Sequence, residues 1–152
     1  MNRPGSASGD RLIHATSVAI DGRALLLLGP SASGKSDLAL RLVDRGAQLV
    51  SDDYTLLENR EGTLYACAVP EIAGQIEIRG IGIDDIAFRA EAPVALILRL
   101  DAVPDRLPAE ELEMHELQGC NIPALPLLPF EASAAVKAER ALRIFGLKVQ
   151  PA

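Results

Sequence analysis

The octapeptide Gly29-Pro30-Ser31-Ala32-Ser33-Gly34-Lys35-Ser36 constrains this chain more than any other feature, because an apolar run precedes it and a stretch of helical periodicity follows. It fits G-x-x-x-x-G-K-[ST] in the strand–turn–helix setting that this pattern requires. Glycines at both ends let the backbone curl until successive N–H groups face a phosphate, and the helix adds the positive end of its dipole. Lys35 is then within reach of the β- and γ-phosphates, and the Ser36 hydroxyl can complete a magnesium shell, so a nucleotide with Mg²⁺ is the expected ligand. The competing reading is a Gly/Ser-rich helix entry in which Ser31 and Ser33 cap and Lys35 is solvated.

The flanking sequence predicts an α/β fold. Ile13 to Ile20 is β-branched and partly alternating, and Asp21-Gly22 separates it from the run Ala24 to Leu28, a strong hairpin signal. The second run is apolar on both faces, as a central covered strand would be. From Lys35 to about Arg45, Leu38, Ala39, Leu42 and Val43 recur at helical spacing, with Gly46 placed to cap. Ala47 to Val50 reads as a buried strand beside the loop strand. Tyr54 to Leu57 and Thr63 to Ala68 flank a turn at Asn59-Arg60-Glu61-Gly62, and Val94 to Leu100 is a covered strand after Pro93. Between Pro104 and Pro129 five prolines mark an irregular region, and Glu131 to Phe145 reads as a terminal packing helix. No internal repeat is present.

Composition narrows the class. With 152 residues, 49% of them hydrophobic, one compact domain is expected. Residues 1–11 are small and polar and read as a loose tail, leaving 12–150 as the folded unit. The net charge of -6 disfavours nucleic acid and anionic lipid as partners. No run approaches the roughly 20 apolar residues of a membrane span, and the start lacks the apolar stretch of a secretory signal, so a cytoplasmic location is expected. Cys67 and Cys120 have no metal-site spacing and read as buried free thiols.

Acidic residues decide what becomes of a bound nucleotide. Two stretches end an apolar strand in Asp: Gln48-Leu49-Val50-Ser51-Asp52-Asp53 and Leu96-Ile97-Leu98-Arg99-Leu100-Asp101. In the first, adjacent carboxylates on a strand point to opposite sides, so one can face a metal while the other accepts a proton from an attacking hydroxyl. Alternatively the pair simply ends a strand in a turn, a position Asp favours. Glu77 and Arg79 lie two apart and share one side of an extended segment, where a carboxylate on Mg²⁺ and a guanidinium near phosphoryl oxygens could converge. A surface ion pair with Gly80 and Gly82 as turn residues is the plainer alternative.

Taken together, His14, GPSASGKS, LVSDD and IEIRGIGI (76–83) resemble the catalytic domain of HPr kinase/phosphorylase, from about Arg11 to Leu142. The EIRGIGI string after an Asp-Asp pair is the distinctive part. The resemblance implies a phosphate-loop core related to phosphoenolpyruvate carboxykinase, a mixed sheet with a β-hairpin and flanking helices. It also implies ATP-dependent phosphorylation of a serine of the phosphocarrier protein HPr, with removal of that phosphate by inorganic phosphate in full-length members. On matching positions, Lys35 is the phosphate-binding lysine, Ser36 a magnesium ligand and Glu77 the second metal carboxylate. Asp53, alone or with Asp52, is the proton acceptor, and His14 aligns with an active-site histidine. Asp105-Arg106-Leu107 resembles the family's D-R-L-G string, with Pro108 in place of glycine, so Arg106 joins the candidates.

Two departures carry expectations. The longer members have an additional amino-terminal domain, and this chain reads as a short, single-domain form. The family's P-G-R-N string, associated with dephosphorylation, corresponds to Pro129-Phe130-Glu131-Ala132, so phosphorolysis is expected to be weak or lost. The family usually assembles as hexamers with one subunit's helix reaching the neighbouring site. The alanine-rich face of residues 131–145 could serve there, or pack within its own chain. An alternative from a different class is a nucleotide-responsive interaction module that presses on a partner such as a sensor kinase without transferring phosphate. A small-molecule kinase has no supporting Arg-rich lid.

Overall fold

A computed structural model describes residues 11–150, and the expected tail therefore lies, except for Arg11, outside the described residues. Strands β1 (Leu12–Ile13), β2 (Ala15–Ile20) and β3 (Arg23–Leu28) come first. The β2–β3 turn has Asp21 at φ 51° and Gly22 at φ 82°, both positive as a right-twisted two-residue hairpin demands. Helix α1 (Lys35–Asp44) follows the glycine loop and closes on Gly46 at φ 112°. Next come β4 (Gln48–Ser51), β5 (Thr55–Arg60) and β6 (Thr63–Cys67). Here the turn is only Glu61-Gly62, because Asn59 and Arg60 pair with Leu64 and Thr63 inside the ladder. The EIRG segment forms a separate hairpin of β7 (Gln75–Ile78) and β8 (Gly82–Asp85).

The long strand β9 (Glu91–Arg99) starts before Pro93 rather than after it. Proline is tolerated because β6 pairs with residues 91–93 on one side and β3 pairs only from Val94 on the other. Part of the proline-punctuated region, read as irregular, is a further hairpin of β10 (Glu113–Leu117) and β11 (Cys120–Pro126). Its prolines are each paired on one side alone, Pro123 with Met114 of β10 and Pro126 with Arg99 of β9. Helix α2 (Ala134–Phe145) ends the fold.

These strands make a mixed sheet in the order β1-β5-β6-β9-β3-β2-β4, with β11 parallel to the end of β9 and β10 outside it. The strand carrying the acidic pair thus borders β2, not β3 as its sequence position suggests, because the hairpin partner β2 already fills that edge. Both helices cover one face of the sheet. Leu25 and Leu27 of β3 meet Leu38 and Leu42 of α1 and Ala134, Ala135, Ala138 and Leu142 of α2 on that face. Ala24 and Leu26 point the other way, to Leu57, Leu64 and Ile122 of the two outer hairpins. A register shift opposite Ala24/Leu25 turns both Ala95 and Leu96 of β9 toward the helices. The alanine-rich side of α2 is therefore occupied within its own chain; the helix begins at Ala134 rather than Glu131, and Ala132 lies before it, exposed.

Leu27 is fully buried at the centre of the helix-covered core. Leu27→Ala is expected to lower unfolding stability by about 2–5 kcal/mol in urea titration, and a loss below about 1 kcal/mol would contradict this packing. Of the two free thiols, Cys120 is buried but Cys67 only partly so, and burial pushes both up from the ordinary thiol value. Among the described residues no helix is long and apolar enough to cross a membrane.

Candidate functional site

The chain leaves β3 at Leu28, turns through Gly29–Gly34 and enters α1 at Lys35, so the loop is set by a central strand and the first helical turn. A side chain at either glycine would crowd its neighbours. A Cβ at Gly29 would stand 2.5 Å from the Ser33 Oγ, and one at Gly34 would stand 2.9 Å from the Phe130 ring and 3.2 Å from the Pro129 Cβ. Gly34 is also left-handed at φ 97°, as is Ala32 at φ 67°. The Ser33 N–H donates to the Pro30 carbonyl at 3.1 Å, while the Ser33 hydroxyl is buried without a partner.

Lys35 is buried, and its ammonium donates to the carbonyls of Gly29 at 2.6 Å and Pro30 at 2.9 Å. Burial pushes its pKa below the ordinary lysine value, against the opposing pull of Asp53 and Asp52. The competing picture of a solvated lysine does not hold.

The adjacent acids part at the end of β4. Asp52 is buried, and its Oδ1 accepts from the Ser36 hydroxyl at 2.7 Å and the Thr16 hydroxyl at 2.9 Å. Its Oδ2 accepts from the Glu77 N–H at 3.1 Å, which ties the β7–β8 hairpin to the loop side of the sheet. Asp53 faces outward, with 60% of its side chain exposed, and its Oδ1 stands 2.9 Å from the Nε2 of His14. The imidazole is backed by the Tyr54 ring, stacked at 5.2 Å between centroids. His14 sits between β1 and β2, so sheet pairing brings it to a residue 39 positions away.

Ser31, Ala32, Gly34, Lys35, Ser36, Asp52, Asp53, Glu77, Arg79 and Phe130 line one cleft of about 860 Å³, a volume suited to a small ligand. Gly29, Pro30 and Ser33, the remaining loop positions, do not line it. Arg106 is not part of that lining: it is exposed in the irregular stretch between β9 and β10, two residues before Pro108. Three contributors had no motif to announce them. Thr16 stands within strand β2, Arg41 is half-buried on α1, and Phe130 lies in a segment whose interest lay in a missing arginine. Arg41 holds the carbonyls of Pro129 and of Glu131, the latter at 3.2 Å, and thereby fixes Phe130 at the cleft rim.

Among the described residues no three His, Cys, Asp or Glu side chains gather into a metal cage. The donors at the cleft are hard oxygens of Ser36, Asp52 and Glu77, a set that fits Mg²⁺ held by one or two carboxylates together with ligand phosphates. Fold and cleft thus define a mixed α/β domain that sets a Gly-Lys-Ser loop against two carboxylates with separate partners. The chain belongs to the HPr serine kinase C-terminal domain family, whose model matches residues 6–136.

It is 38% identical over 126 residues to the HPr kinase/phosphorylase of Streptococcus thermophilus, a match covering 74% of this chain and 40% of that protein. It is 36% identical over 105 residues to that of Lacticaseibacillus casei, covering 63% and 33%. The matches span less than half the length of these curated relatives. A solved structure of the Hpr(Ser) kinase/phosphatase from Coxiella burnetii is similar with a TM-score of 0.72 and 29% identity, over 88% of this chain and 99% of that one.

Proposed function

We propose that this chain is an ATP- and Mg²⁺-dependent serine kinase of the cytoplasm, acting on HPr or a related phosphocarrier protein of the phosphotransferase system. The observation that carries this is the division of labour between Asp52, hydrogen-bonded to Ser36 of the glycine loop, and Asp53, open to the cleft beside His14. On this reading the Gly29–Ser36 loop is a phosphate loop, in a core related to phosphoenolpyruvate carboxykinase. Its N–H groups and Lys35 bind the triphosphate, Lys35 exchanging its two carbonyl partners for phosphate oxygens. Ser36, Asp52 and Glu77 hold the magnesium ion, which when bound offsets charge on the phosphates.

Asp53 accepts the proton of the incoming serine hydroxyl as the new oxygen–phosphorus bond forms and the bond to the leaving ADP breaks. His14 orients that carboxylate. Arg79, in the turn between β7 and β8, lines the same cleft and offers a second cation, beside Lys35, for the transferring oxygens. Transfer of label from γ-labelled ATP to HPr, dependent on Mg²⁺, tests this reading. Retained label with intact ATP binding would favour a nucleotide-responsive module instead.

The rim segment supports a second expectation. Where the family resemblance leads one to look for an arginine, this chain offers the Phe130 ring and Glu131, the latter paired with Lys137 at 2.7 Å. No fixed cation remains in that segment to hold an incoming inorganic phosphate. Phosphorolysis is therefore expected at least about 10²-fold slower than kinase turnover, by analogy with loss of one charge-stabilising group. Release of pyrophosphate from phosphorylated HPr and phosphate measures it; a rate matching the kinase reaction would overturn the expectation.

A further inference from the structure

We propose that Thr16 is the positioning residue that holds Asp52 and Asp53 in their separate orientations; this rests on the kinase reading of the same cleft. Thr16 lies in β2 and is fully buried. Its hydroxyl works in both directions, donating to the Asp52 Oδ1 at 2.9 Å and accepting from the Asp53 N–H at 3.1 Å. One side chain thereby touches the carboxylate on the loop side and the backbone of the carboxylate on the open side. A hydroxyl is the smallest group able to do both at once.

The local backbone explains why such a clamp is needed. Regular pairing of β4 to β2 ends at Ser51 and Ser17, after a register irregularity, so the ladder itself does not hold residues 52 and 53. Beyond it the chain reverses in a three-residue turn, closed by the Tyr54 N–H on the Asp52 carbonyl at 2.7 Å, with Asp53 at φ 68°. A non-glycine residue in this left-handed region is strained and persists only where its surroundings over-determine it. Those surroundings are hydroxyls. Thr55 donates to the Ala15 carbonyl at 2.9 Å and contacts the Ser17 hydroxyl at 2.9 Å, which fixes the exit of the turn. Thr16 fixes its apex.

Thr16→Val keeps the shape but leaves the Asp53 N–H unpaired and Asp52 Oδ1 with Ser36 as its remaining hydroxyl donor. Removing an outer partner of this kind is expected to cost about 10–100-fold in metal affinity or activity. Three readouts apply to the purified chain: hydrogen exchange of the Asp53 amide without ligand, the Mg²⁺ dependence of ATP binding, and transfer to HPr. In Thr16→Val the Asp53 amide is expected to exchange at least about tenfold faster, as a lost hydrogen bond implies. A higher Mg²⁺ concentration should also be needed for ATP binding, and Thr16→Ser should restore both.

If Thr16→Val fails to fold, Thr16→Cys, with a weak donor of similar size, should give intermediate values for both readouts. A Val or Cys variant with wild-type amide exchange and wild-type Mg²⁺ dependence would overturn the role. So would a Ser variant that behaves like Val. Should the wild-type protein bind Mg²⁺-ATP yet transfer nothing to HPr, the kinase reading fails while the first two readouts still decide the role of Thr16.

Discussion

Asp53→Asn is expected to leave Mg²⁺-ATP affinity unchanged and to slow phosphoryl transfer by about 10²–10⁴-fold, the contribution of a positioned general base. The substitution isolates the proton-accepting role for a structural reason. Asp53 occupies a left-handed backbone position, φ 68°, which asparagine adopts more readily than other replacements. An amide oxygen can still accept from the Nε2 of His14, now 2.9 Å from the carboxylate, and the Thr16 contact to the Asp53 N–H involves backbone alone. The fold and the metal side of the site should therefore survive. Calorimetric titration of ATP set beside single-turnover transfer separates the two effects. An Asn variant that transfers at the wild-type rate would remove Asp53 from the reaction and leave Asp52, already committed to three donors, as a poor substitute.

Lys35→Ala is expected to fail earlier, at binding. Its ammonium is buried beneath the loop and is held by two carbonyls, so it is positioned in advance for an anion in the same place. Loss of a charge-assisted contact predicts an ATP dissociation constant raised by about 10–100-fold. Turnover should fall by a further 10²–10³-fold or so, because the same cation stabilises charge that develops on the transferring group. The contrast is diagnostic: Lys35→Ala loses affinity and rate together, while Asp53→Asn loses rate alone. Unchanged ATP affinity in Lys35→Ala, measured by the same titration, would mean that the nucleotide does not sit in the glycine loop.

What could be seen in the sequence was mostly local. The Asp21-Gly22 hairpin, the strand before Gly29 and the helix after it announce themselves through turn chemistry and periodicity, and they appear within a residue or two of their expected bounds. Long-range placement was less visible. The Asp52-Asp53 strand borders β2, since nothing local says that the hairpin partner intervenes between it and the loop strand. The β10–β11 hairpin was hidden by Pro123 and Pro126 and by a Gln118-Gly119 turn, a weak signal even though both residues have positive φ.

The candidate site divides the same way. The loop motif selected Lys35 and Ser36, the strand-end pattern Asp52 and Asp53, and the family resemblance Glu77 with Arg79; all six line the cleft. The resemblance also offered Arg106, whose string has Pro108 in place of the family's glycine and which is exposed and not part of that cleft's lining. Thr16 had no sequence signal at all: a threonine within a strand is ordinary, and only the pairing of β2 with β4 sets its hydroxyl against the acidic turn.

The proposed reaction moves phosphate onto a protein hydroxyl from the pocket bounded by the glycine loop and the two acids. Peptide-mapping mass spectrometry of HPr after incubation with the purified chain and Mg²⁺-ATP tests it most directly. One phosphorylated serine is expected, which disappears when Mg²⁺ is chelated and is strongly reduced with Asp53→Asn. Unmodified HPr, in the presence of a folded chain that binds Mg²⁺-ATP, would contradict it.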